Sequence, residues 1–100
     1  MPECREERIS NRFKSIVAAA TPAADQPEGK LALSVLCDGM RYALKGIKAG
    51  PEANSDQVDC LEFITTKGRC APWCKAIEID GEWFVNLAKK TIRNARPHLC

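Results

Sequence analysis

Hydrophobic and polar positions follow a helical period through the first half of this chain. Ile9, Phe13, Ile16, Val17 and Ala20 recur at the i, i+4, i+7, i+8, i+11 spacing of one buried helix face, which predicts a helix over about residues 3–20. Arg5, Arg8 and Arg12 line another face of the same segment. Over 31–49, Leu33, Leu36, Cys37, Met40, Leu44 and Ile47 make an apolar face opposite Ser34, Asp38, Arg41, Lys45 and Lys48. Two strands around Asp38-Gly39 are the competing reading. The helix is preferred because it accounts for every charge, whereas the strands alternate only loosely. Gly39 then costs the helix about 1 kcal/mol, and with Gly46 it marks a place where another helix comes close. Gly50-Pro51 ends the element. The intervening residues 21–29 (TPAADQPEG) read as a linker, with Asp25 as a cap and Pro27 in the first turn of a helix that begins inside it.

The second half reads differently. Leu61 to Thr66 is β-branched and aromatic, which predicts a strand; a short helix capped by Asn54 or Ser55 is the alternative. Lys75 to Ile79 and Glu82 to Asn86 flank Asp80-Gly81, a two-residue turn that would pair Ile77 with Phe84 and Ala76 with Val85. Asn86 then caps a last helix, with Leu87, Ala88, Thr91, Ile92 and Ala95 inward, Lys89, Lys90, Arg93 and Arg96 outward, and Pro97 as its stop. The expected fold is therefore a single compact α+β domain over residues 1–100: a helical N-terminal half, a short antiparallel hairpin or meander, and a C-terminal basic helix.

Composition narrows the function classes. With 45% hydrophobic and 28% charged residues the chain is ordinary globular material, and a net charge of +2 is too mild for a dedicated nucleic-acid-binding domain. No apolar stretch approaches a bilayer span, and the first residues carry acids where a signal peptide would be basic and then apolar, so a cytoplasmic location without membrane contact is expected. In that reducing compartment the six cysteines are expected to be free, metal-bound or chemically active rather than bridged.

Three constellations carry possible chemistry. Cys70, Cys74, His98 and Cys100 offer the soft ligands of a tetrahedral structural zinc, in two close pairs. Ala71-Pro72-Trp73-Cys74-Lys75 is similar to the residues leading into the thioredoxin-family active site, and the resemblance implies thiol redox chemistry through Cys70 and Cys74. It spans five residues, and here the partner cysteine precedes the proline. The basic last helix, with Trp73, Trp83 and Phe84 as stacking platforms, suits nucleic acid.

No phosphate loop, paired-histidine motif or nucleophile elbow is present in the sequence, and no catalytic residues are assigned. From Glu52 to Glu62 the charges are all acidic (Glu52, Asp56, Asp59, Glu62), opposing two basic helix faces. That separation favours a protein partner over nucleic acid. The expected function is a non-enzymatic protein-interaction module: an adaptor, regulator or inhibitor of a larger assembly, a class that includes small phage-encoded inhibitors. Its expected binding residues are Arg5, Arg8, Arg12, Trp73, Trp83, Lys89, Lys90, Arg93 and Arg96. A zinc-stabilised nucleic-acid-binding domain and a thiol redox protein are the alternatives.

Overall fold

Helices account for the whole architecture. The computed structural model describes residues 5–22 and 25–99. In chain order it contains α1 (Arg5–Ala20), α2 (Pro27–Ala49), a single 3-10 turn (Gly50–Glu52), α3 (Ser55–Thr65), α4 (Lys67–Ala76) and α5 (Gly81–Leu99), with no strand among the described residues. The α+β expectation is thus overturned, and the fold is all-α.

Each predicted strand has a local reason not to form. Asn54 accepts from the Gln57 amide at 2.8 Å, and the Gln57 side chain accepts from the Asn54 amide at 3.0 Å. This capping box satisfies two orphan donors and starts α3 through the run read as a strand. At the supposed hairpin, Asp80 Oδ1 accepts from the Glu82 amide at 2.9 Å, so Asp80-Gly81 opens α5 rather than reversing two strands. Upstream, α4 ends in a Schellman arrangement: the Ile79 amide bonds the Cys74 carbonyl and the Glu78 amide bonds the Lys75 carbonyl. Glu78 occupies the left-handed position at φ 58°, where glycine is usual, so no sequence signal marks the stop. Pro97, expected to end α5, lies within it.

The long helix α2 is the centre of the molecule and packs on each of the other four. Leu36, Met40, Ala43 and Leu44 are fully buried there. Pro27 is its first residue, and Gly50, at φ 62°, caps its end with an amide bonded back to Gly46 and Ile47. Gly39 and Gly46 sit where α3 crosses: an added Cβ would lie 2.9 Å from Ile64 Cγ2 at Gly39 and 2.9 Å from Gln57 Cβ at Gly46. The close approach expected of both glycines is present. Helix α1 packs on α2 and α5, and its Phe13 meets Phe84 of α5 edge to face at 5.5 Å. Arg5 Nη1 donates to the His98 carbonyl at 3.0 Å, so the start of α1 meets the end of α5 and the two helices run antiparallel.

Candidate docking groove between α1 and α5

The face that α1 buries differs from the one its periodicity predicts. Glu6, Ser10, Phe13 and Val17 face the core, whereas Ile9 is half-buried, Ile16 is 42% exposed and Ala20 is exposed. The polar members of the buried face are taken up by α2: Lys48 Nζ lies 3.4 Å from Glu6 Oε1, and Ser10 Oγ donates to the Cys37 carbonyl at 3.4 Å. Helix α5 is rotated in the same sense. It buries Phe84, Val85, Ala88, Ile92, Ala95 and Leu99, while Leu87 and Thr91, predicted to point inward, are only partly covered.

The displaced apolar residues meet. Ile9 and Ile16 of α1 face Leu87 and Thr91 of α5 across a half-open groove of about 510 Å³, with Phe13 and Ala95 also lining it. Arg12 borders it from α1, and Lys90, Asn94 and His98 border it from α5. From Arg8 to Ala20 and from Leu87 to Leu99 the sequence has no acidic residue and seven lysines or arginines, leaving eight against 13 acids elsewhere. Acidic α3 makes no contact with α1. Basic charge is therefore concentrated on α1 and α5, and the acidic helix α3 packs on α5 but not on α1.

The predicted binding residues are only partly gathered here. Arg5, Arg8, Arg12, Lys89, Lys90 and Arg93 are exposed on the two helices that form the groove. Arg96, also exposed, borders a second hollow of about 240 Å³ bounded by α2 and α3. Trp83 is 38% exposed, one turn before Leu87 on α5. Trp73 is on α4, half-buried against the core and away from α1. Sequence reasoning missed the groove's apolar lining because Ile9, Phe13, Ile16, Leu87 and Thr91 were all assigned to the core. Its signal was an excess: α1 has more apolar residues than one buried stripe uses.

Cys70 and Cys74 are buried side by side on α4, whereas His98 is exposed on α5 and Cys100 lies outside the described residues. No three His, Cys, Asp or Glu side chains among the described residues are grouped as a metal would require. Cys37, Cys60, Cys70 and Cys74 are free thiols. Burial pushes the Cys74 thiol up to about 12, with the neighbouring Cys70 adding to the effect, and burial likewise raises Cys70. Both shifts favour the neutral thiol, whereas activation of a redox thiol lowers its pKa. No helix among the described residues is long and apolar enough to cross a membrane.

Comparison with known proteins finds no family model, no curated protein and no solved structure that this chain matches.

Proposed function

We propose that the chain is a non-enzymatic protein-interaction module that docks a partner protein in the α1/α5 groove, acting as an adaptor, regulator or inhibitor of a larger assembly. One observation carries this reading: α1 turns Glu6 and Ser10 into the core while leaving Ile16 exposed and Ile9 half-covered. Burying a carboxylate requires a paired charge, and exposing an isoleucine forfeits about 25 cal/mol for every Å² left in water. Such a conflict between local pattern and fold is characteristic of functional surfaces.

A photo-reactive residue placed at Asn94, in the groove, tests the proposal in cells of the source organism, with Asp59 on α3 as the comparison site. The expected result is a discrete protein adduct from Asn94 that is lost with Ile16→Glu and kept with Leu31→Glu, which alters an exposed apolar residue outside the groove. Equal adducts from Asp59, or adducts only to nucleic acid, would overturn it.

A further inference from the structure

We infer that the occupant of the groove is an amphipathic helix with acidic flanks, seated over about three turns, its apolar stripe on the Ile9, Ile16 and Leu87 lining and its acids against Arg12 and Lys90. The inference rests on the docking role proposed above and adds the chemistry of the partner.

The walls of the groove suit a helical occupant. Both are helices whose backbone groups are bonded internally, so no sheet edge is offered and an extended peptide would find no ladder to join. A helix satisfies its own backbone and needs only a trough for side chains. This trough fits: Leu87 to His98 spans about 16 Å at 1.5 Å per residue, room for about three turns presenting anchors at i, i+3 or i+4, and i+7. The groove is half-open, which leaves the outer face of an occupant in water. Trp83, one turn beyond Leu87, extends the apolar end and supplies an aromatic of the type that dominates interface energetics.

Charge selects the flanks. Arg12 and Lys90 stand on opposite rims, Arg8 and Arg93 are exposed one turn along their helices, and neither rim contains an acid. Of the two acids on α1, Glu6 is buried toward Lys48 and Glu7 is exposed in the first turn, and neither lines the groove. A second copy of this chain is a poor occupant. Its acidic helix α3 exposes Asp56, Asp59 and Glu62, but Val58 is its one apolar residue on that exposed face, too few for a docking stripe. Nucleic acid would satisfy the rims and leave the apolar lining unused.

A designed peptide of about 20 residues, with leucines at helical spacing and glutamates on both flanks, is the probe. Its twin with lysine in place of every glutamate and a scrambled version of identical composition are the controls, all read by fluorescence anisotropy against the intact chain. The glutamate peptide should bind, gain helical circular dichroism on binding and weaken as salt rises. The lysine twin and the scrambled peptide should bind at least about tenfold more weakly. Ile16→Glu should weaken binding at least about tenfold, and Lys90→Glu should weaken the glutamate peptide while improving the lysine twin. No binding, equal binding of the glutamate and scrambled peptides, or equal binding of the two charge forms overturns the inference. So does tighter binding of a single-stranded oligonucleotide that Ile16→Glu leaves unchanged. If the Asn94 adduct survives any of these failures, docking stands and only the acidic-helix partner falls; without that adduct both fall.

Discussion

Glu78 occupies a left-handed backbone position at φ 58° with a side chain that disfavours it, so Glu78→Gly should stabilise the protein by about 1 kcal/mol, and Glu78→Val should destabilise it, in urea unfolding. Two other glycine positions make an opposed pair. Gly39→Ala puts a methyl 2.9 Å from Ile64 Cγ2 and should cost about 1–3 kcal/mol, whereas Gly68→Ala, with nothing within 4 Å, should gain about 0.5 kcal/mol. The buried thiols add a pH dependence. Burial raises both Cys37 and Cys74 from 9.0 to about 12. Folded-state values above the unfolded one mean that their contribution is fully present below about pH 9 and is lost as pH climbs toward 12. Between about pH 8 and 10.5 the urea midpoint should therefore fall more for the native chain than for Cys37→Ala/Cys74→Ala. Among the four described thiols, the partly exposed Cys60 should alkylate first, as peptide mapping by mass spectrometry would show.

At the scale of the element, caps decide what periodicity alone does not. Asp80→Ala and Asn54→Ala each remove an N-cap and should each cost about 1 kcal/mol without changing the helical circular dichroism of the folded state. A hairpin at Asp80-Gly81 would instead predict loss of a turn between strands. The helix α2, its stop at Gly50 and the crowding at Gly39 and Gly46 were all legible, because one uninterrupted apolar stripe and two well-placed glycines point the same way. The start of α5 was not. Asp-Gly serves equally as a hairpin turn and as a cap with the first helical residue, and the Schellman stop before it uses Glu78 where only a glycine would have announced it. Pro72 compounded the ambiguity: it sits inside α4, where it has no amide to bond the Gly68 carbonyl, a placement that propensity argues against. The basic residues of the groove were legible as charges. Its apolar lining was not, because periodicity shows that a helix has an apolar side without saying which part of that side the neighbours cover.

For the whole molecule, the consequence of those rotations is a division of labour. Helix α2 gathers the core, while α1 and α5 turn spare apolar surface and an acid-free, basic rim toward a common groove. Acidic α3 packs on α5 but not on α1, and the groove itself is lined by basic and no acidic residues, suited to orienting an acidic partner before it docks. Reversal of charge at Arg12 and Lys90 should accordingly slow association more than it speeds dissociation, and loss of Ile16 should do the reverse, in stopped-flow binding of the acidic peptide. The most direct test of the docking groove is to map backbone amide shifts by two-dimensional NMR as that peptide is added. Shifts should be concentrated between Ile9 and Ile16 and between Trp83 and His98, with α3 and α4 unmoved; shifts centred on α3 or α4, or none at saturating peptide, would contradict docking in this groove.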